Sequence, residues 1–135
     1  MVAAADGCIY GIPHLAKSVL RFDPRAQTFT TIGTLDGAAN KYGGGVLGPA
    51  GRFIFCIPFY AGRVLCIDTQ TQTCQLIGDD FGHSDTNKWA CGALGADCLI
   101  YCIPDQAMDR VLRIDPWAKT TTLFGPALGV TSGWS

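Results

Sequence analysis

Amide, cationic and aromatic side chains recur together in the chain, and these residues have the clearest potential for chemistry. The triplet Asn40-Lys41-Tyr42 returns as Asn87-Lys88-Trp89, and Ser132-Gly133-Trp134 keeps only the aromatic residue. Three further basic side chains belong to the same candidate site, namely Arg63, Arg110 and His83. Cations and amides gathered in one place could hold an anionic or carbonyl-rich ligand.

A structural role explains the same triplet. In this interpretation the asparagine caps a turn, the lysine reaches backbone carbonyls of a neighbouring unit, and the aromatic ring packs between units. Because the triplet recurs with the repeat described below, we favour this interpretation over a ligand site.

The acidic residues predict neither a metal site nor catalysis. Residues 79–87 contain three aspartates and a histidine, but an EF-hand loop also needs a closing glutamate, and the chain has no glutamate. An ordinary surface loop has the same composition. The motifs of metalloproteases, serine hydrolases and phosphate-binding loops are absent. The sequence therefore predicts no catalytic residue, no metal and no cofactor.

Seven cysteines are more than a chain of 135 residues usually carries, and the odd number leaves at least one without an intrachain partner. Cys56 and Cys102 occupy one repeat position, where the first copy has Gly11. We expect buried free thiols, with a Cys66–Cys74 disulfide across a hairpin and a metal site as alternatives. Free thiols slightly favour a reducing intracellular or organellar compartment, and the localisation otherwise stays open.

The chain repeats itself, and this repeat must position the candidate residues. Ile12-Pro13 returns as Ile57-Pro58 and Ile103-Pro104, at steps of 45 and 46 residues. Each copy closes on a glycine, and these are Gly33, Gly78 and Gly125. A period in the forties with short apolar runs is typical of propellers and solenoids.

Each copy contains four runs of strand length, separated by glycine, proline and aspartate turns. The run Phe53 to Ile57 is apolar on both faces, so it must be covered on both sides. Four-stranded antiparallel units that pack face to face around an axis are β-propeller blades. The sequence predicts an all-β chain of three such blades, at about residues 1–33, 41–78 and 88–125, within one repeat domain over 1–135.

Three blades do not close a ring, because propellers usually have about four to eight. Trp134-Ser135 is expected to begin a further inner strand whose remainder aligns with Met1-Val2. We therefore expect either a head-to-tail ring of two chains or a part of a longer propeller. In both cases a protein partner or a second copy covers the end blades.

The pattern Asn-Lys-aromatic, Gly-Gly-Val-Leu, Ile-Tyr-Cys-Ile-Pro and Val-Leu-Arg-Ile-Asp-Pro resembles the blades of kelch-like and gluconolactonase-like propellers, over nearly the whole chain. This resemblance implies the propeller fold and transfers no catalytic residue. A metal-dependent lactonase-like site would need a glutamate and inward-facing ligands, whereas the inner strands offer Gly, Val, Leu and Ala.

Charge and hydropathy exclude several classes of partner. A net charge of −1, with ten basic residues dispersed along the chain, gives no footprint for nucleic acid. No apolar run reaches the roughly 20 residues of a membrane span, and the first residues do not resemble a signal peptide.

The sequence thus predicts a non-catalytic propeller module that acts in protein–protein interaction or as an accessory subunit. The alternative is a small-molecule-binding or lactonase-like propeller with its site at the axial channel.

Overall fold

The structure is a computed structural model that describes residues 1–35 and 41–128. In these two ranges the chain forms twelve β-strands and a short 3-10 turn at Pro49–Gly51. The strands are β1 (Val2–Ala3), β2 (Ile9–Gly11), β3 (Val19–Asp23), β4 (Thr28–Ile32), β5 (Tyr42–Leu47), β6 (Phe53–Pro58), β7 (Val64–Asp68), β8 (Thr73–Ile77), β9 (Trp89–Leu94), β10 (Ile100–Pro104), β11 (Val111–Asp115) and β12 (Thr120–Phe124).

The strands form three four-stranded antiparallel sheets in which every strand pairs with its neighbour in sequence. We call them blade 1 (β1 to β4), blade 2 (β5 to β8) and blade 3 (β9 to β12). The predicted all-β class with three blade-like sheets is confirmed, and the ring is incomplete in this chain. The predicted inner strand at Trp134-Ser135 lies outside the described residues.

An aspartate at the end of the third strand shapes the outer hairpin of each blade. In blade 2, Oδ1 of Asp68 accepts hydrogen bonds from the backbone N–H groups of Gln70 and Thr71. The hairpin then closes through Gln72, whose φ of 57° lies in the left-handed region. The equivalent aspartates in blades 1 and 3 make the same backbone contacts, and they are Asp23 and Asp115.

The apolar core consists of two layers, and blade 2 supplies one wall of each. Its strand β6 alternates, so Ile54 and Cys56 pack toward blade 1 while Phe55 and Ile57 pack toward blade 3. All four side chains are fully buried. The covering on both faces that the sequence predicts for this strand is therefore present.

The cysteines are all free thiols, and four of the seven are buried. Cys66 is in register with Gln75 rather than with Cys74, so the two thiols of this hairpin do not face each other. Cys98 does not share a strand with Cys102, because it lies in the turn before β10 with a φ of 65°. Burial raises the pKa of the Cys102 thiol well above its ordinary value, which makes it a small apolar side chain.

Within residues 1–35 and 41–128, no helix has the length and apolar character that a membrane crossing needs.

Candidate functional site

The lysine of the second triplet uses all of its hydrogen-bond donors, two of them on the neighbouring blade. Nζ of Lys88 donates to the backbone oxygens of Tyr60 (2.9 Å) and Ala61 (3.1 Å) and to Oγ of Ser84 (3.0 Å). These are the three hydrogen bonds that an ammonium group can donate. Lys88 is buried, and this desolvation lowers its pKa. Its contacts to Tyr60 and Ala61 join blade 3 to the β6–β7 loop of blade 2.

Lys41 repeats this arrangement one blade earlier. It is buried, and its Nζ donates to the backbone oxygen of Leu15 at 3.3 Å, in the β2–β3 loop of blade 1. Leu15 occupies the position in blade 1 that Tyr60 occupies in blade 2. Both lysines therefore reach backwards to the preceding blade.

The aromatic residues of the triplets begin the inner strands and lie inside the core. Tyr42 and Trp89 are buried, and Nε1 of Trp89 donates to the backbone oxygen of Arg110 at 3.0 Å. Phe81 contacts the Trp89 ring edge-on, with 5.1 Å between ring centroids. Nδ2 of Asn87 lies 3.4 Å from Oδ2 of Asp105, and Asn40 lies outside the described residues.

Two arginines at equivalent positions differ in how their guanidinium groups are satisfied. Nε of Arg110 donates to the backbone oxygen of Gly125 at 3.1 Å. In Arg63 a different nitrogen of the guanidinium group makes the hydrogen bond, and Nη2 donates to the backbone oxygen of Leu76 at 3.4 Å. Nε of Arg63 is buried without a hydrogen-bond partner. A buried donor that lacks an acceptor is energetically costly.

A cavity of about 350 Å³ lies beside Arg63 at the edge between blades 1 and 2. Four predicted site residues line it, namely Lys41, Tyr42, Arg63 and His83. The other described members of the predicted site, Asn87, Lys88, Trp89 and Arg110, are not part of this lining. Asp80 also lines the cavity, so any bound anion has to avoid that carboxylate. In the described ranges, no group of three or more His, Cys, Asp or Glu side chains is placed to hold a metal ion.

The outward faces of the end blades form a second kind of candidate surface. We define face 1 as the outward surface of blade 1, at Ile9, Gly11, Leu20, Phe22 and Phe29. We define face 3 as the outward surface of blade 3, at Tyr101, Ile103, Val111, Arg113 and Phe124. Each face corresponds, position by position, to a face of blade 2 that a neighbouring blade covers.

Sequence reasoning missed a polar network that occurs in blades 1 and 3. In blade 1 the Tyr10 hydroxyl donates to Oδ2 of Asp6 (2.6 Å) and accepts a hydrogen bond from Nε of Arg21 (3.2 Å). In blade 3 the Tyr101 hydroxyl donates to Oδ2 of Asp97, also at 2.6 Å. Arg113 occupies the position of Arg21, and an Asp-x-x-x-Tyr spacing before each arginine was the available signal.

The chain resembles solved structures but no known sequence family. No family model matches the sequence, and no curated protein matches it significantly. Solved structures do match. Virginiamycin B lyase from Staphylococcus aureus aligns with a TM-score of 0.69 and 16% identity, over 95% of this chain and 41% of the lyase.

Two further structures resemble the chain. The extracellular domain of BT4673 from B. thetaiotaomicron gives a TM-score of 0.69 at 14% identity, over 92% of this chain and 16% of that one. Kuenenia stuttgartiensis hydrazine synthase gives 0.67 at 14% identity, over 87% of this chain and 32% of that one. The chain has a propeller-like repeat fold. It spans less than half the length of each of these proteins, and identities this low show the fold alone.

Proposed function

We propose that this chain is a non-catalytic propeller module that works by protein contact, as an accessory or structural subunit of a larger assembly. The observation that carries the proposal is the exposure of apolar side chains on the end blades at positions that are buried in blade 2. Leu20 is 42% exposed on face 1, whereas its equivalent Leu65 is 1% exposed. Phe124 is 45% exposed on face 3, whereas its equivalent Ile77 is 3% exposed.

Covering these faces is energetically favourable. Full burial of a leucine or phenylalanine side chain contributes about 1.5–3 kcal/mol, and Phe29 and Ile103 add to the apolar area that the faces leave in water. Contiguous exposed apolar surface on a folded protein marks an interaction site. The hydrogen bonds of Lys88 also support protein contact rather than ligand binding. All three donors of its ammonium group are already bonded to protein oxygens, so none is left for a ligand.

The test compares the proteins captured from cells that express the chain. Phe29→Asp and Phe124→Asp place a carboxylate on face 1 and on face 3. Trp117→Asp is the matched control, because Trp117 is 64% exposed but lies in the β11–β12 turn and is not among the residues that define either face. We expect the two face variants to lose partners that the wild type and the Trp117→Asp variant retain. Equal capture by all four proteins would contradict the proposal.

A second candidate function, the binding of a small molecule, is supported by three basic residues that line the cavity, Lys41, Arg63 and His83. A ligand with a carboxylate could pair with these side chains. Calorimetric titration with acetate, malonate and citrate tests it, with Arg63→Gln as the variant and Arg110→Gln as the control. Binding that Arg63→Gln removes and Arg110→Gln retains would favour this candidate. Lactonase-like hydrolysis belongs to the same candidate, and stoichiometric metal in the purified protein would support it.

A further inference from the structure

We infer that the occupant of the two open faces is a second copy of this chain, packed head to tail so that face 3 of each copy covers face 1 of the other. Two copies of three blades would then close a six-bladed ring, within the usual range for propellers. This inference rests on the proposed function, which it makes specific by naming the partner. It follows from a polar network at the blade 1–blade 2 interface and from a glycine contact that the blade 1–blade 2 and blade 2–blade 3 interfaces share.

The polar network shows that face 3 is built like a covered face. In blade 1, Asp6, Tyr10 and Arg21 satisfy one another, and Tyr10 is completely buried because blade 2 packs over it. Blade 3 repeats this set as Asp97, Tyr101 and Arg113 on a face that no described blade covers. Blade 2 lacks it, with Gly51, Phe55 and Cys66 at the three positions.

The network also removes the main electrostatic obstacle to docking. Burying an unpaired charge costs several kcal/mol, about 3–5 when one partner is missing. The Tyr101 hydroxyl already bonds to Asp97, and the Arg113 guanidinium lies 4.8 Å from the centroid of the Phe124 ring. The charged groups of face 3 therefore have partners within their own blade. Face 1 carries no charged side chain at its defining positions, so it suits such a cover.

A repeated glycine contact identifies the register of the docking. At the blade 1–blade 2 interface, Gly33 lies against Cys74, and a Cβ at Gly33 would be 3.3 Å from the Cys74 sulfur. At the blade 2–blade 3 interface, Gly78 lies against Thr121 in the same way. Cys74 and Thr121 are both the second residue of an outer strand.

Face 3 and face 1 each contribute one residue that could form a third glycine contact of this kind. Gly125 closes blade 3, and a Cβ there would have no atom within 4 Å. Phe29 is the second residue of β4, the outer strand of blade 1, and it is 66% exposed. Head-to-tail docking places Gly125 of one copy against Phe29 of the other. The repeat supplies this complementarity within the chain itself, which is why we name a second copy rather than an unrelated protein.

The mass of the purified chain in solution is the first measurement. Sedimentation equilibrium is expected to give twice the 14.4 kDa of one chain. A monomer at every concentration, or an open-ended series of larger species, would overturn the inference.

The two face variants test the head-to-tail arrangement directly. Phe29→Asp places a carboxylate on face 1 and leaves face 3 unchanged. Phe124→Asp places a carboxylate on face 3 and leaves face 1 unchanged. Each variant alone is expected to be monomeric, and an equal mixture of the two is expected to form a heterodimer through its one intact pair of faces. The Trp117→Asp control stays dimeric. If Phe29→Asp alone still dimerises, or if the mixture stays monomeric while circular dichroism shows both variants folded, the inference is wrong.

A photo-crosslink reports the register without weakening the interface. Benzoylphenylalanine at position 29, in a mixture of isotopically light and heavy chains, is expected to join position 29 of one copy to a peptide containing Gly125 of the other. Crosslinks that reach a different peptide would overturn the register.

The outcome also separates this inference from the proposed function. If the purified chain is a monomer but the face variants still lose captured partners, the second copy is excluded and the contact module stands. If the chain is a monomer and capture does not depend on the faces, both fail.

Discussion

Blade 2 and blade 1 present the same residue pattern on one face, yet that face is core in the first and surface in the second. Leu65 and Ile67 of blade 2 pack against blade 1, while no described blade covers their equivalents Leu20 and Phe22 on that side. The difference arises from position in the array, not from composition. In a repeat protein each unit is stabilised largely by the interfaces with its neighbours. The predictions below compare matched positions in a covered and an uncovered interface.

The largest expected difference is between Leu65→Ala and Leu20→Ala. Truncating a buried leucine leaves a cavity and costs about 2–5 kcal/mol of unfolding free energy, so Leu65→Ala should fall in that range. Leu20→Ala should cost less than about 1 kcal/mol in the isolated chain, since much of its side chain is already in water. Urea unfolding of dilute protein measures both values. Equal losses would mean that face 1 is covered within a single chain.

A smaller difference is expected between Gly78→Ala and Gly125→Ala. Both glycines have positive φ, at 71° and 77°, so an alanine strains the backbone of each by about 1–2 kcal/mol. At Gly78 the new methyl group also overlaps the Thr121 side chain, which adds about 1–3 kcal/mol of overpacking. Thermal unfolding of the two variants should rank Gly78→Ala as the less stable. The reverse order would show that Gly125 is the more crowded glycine.

The smallest difference in unfolding free energy is expected between the two tyrosines of the polar network. Tyr10→Phe removes a buried hydroxyl from Asp6 and should cost about 1–3 kcal/mol. Tyr101→Phe should change the stability of the dilute chain by less than about 0.5 kcal/mol, because its hydroxyl bonds to an exposed aspartate. Chemical unfolding at low protein concentration compares them. A similar loss of unfolding free energy in both variants would show that the network of blade 3 is as buried as the network of blade 1.

The same pair differs in its response to alkaline pH. Burial first, and then the hydrogen bond to Asp6, raise the pKa of Tyr10 to about 12. A raised pKa favours the neutral phenol in the folded state, so this stabilisation is present below about pH 10 and is lost as pH rises toward 12. Ultraviolet titration of Tyr101→Phe and Tyr10→Phe should assign the later ionisation to Tyr10. Early ionisation of Tyr10 would mean that water reaches the blade 1–blade 2 interface.

The repeat predicted the fold because the local sequence signals, namely strand lengths, turn residues and apolar patterns, all agree with the propeller-like architecture. Strands of two to six residues, each followed by turn residues, leave a single pairing order, and the apolar residues on both faces of Phe53–Pro58 require cover on both sides. Contact between each lysine and backbone carbonyls of a neighbouring unit was also one of the predicted roles, and Lys41 and Lys88 make such contacts.

The shape of the site could not be read from the sequence in the same way. Arg63 and Arg110 stand at one repeat position, but Nε finds a carbonyl only in Arg110. That outcome depends on side-chain torsions and on how each loop packs, which residue spacing does not determine. Likewise, Arg21 and Arg113 stand at one repeat position. The Asp-x-x-x-Tyr spacing alone does not show that each tyrosine lies beside its arginine, because that placement depends on the strand register.

The pairing of each strand with its sequence neighbour has a consequence for synthesis of the chain on the ribosome. Blade 1 can form its hairpins as soon as residue 32 has emerged, yet its apolar inner layer stays in water until β6 and β7 arrive about 35 residues later. During that interval both faces of blade 1 are exposed to water. A ribosome-associated chaperone would therefore meet this protein at a defined length, between completion of the first blade and arrival of the second.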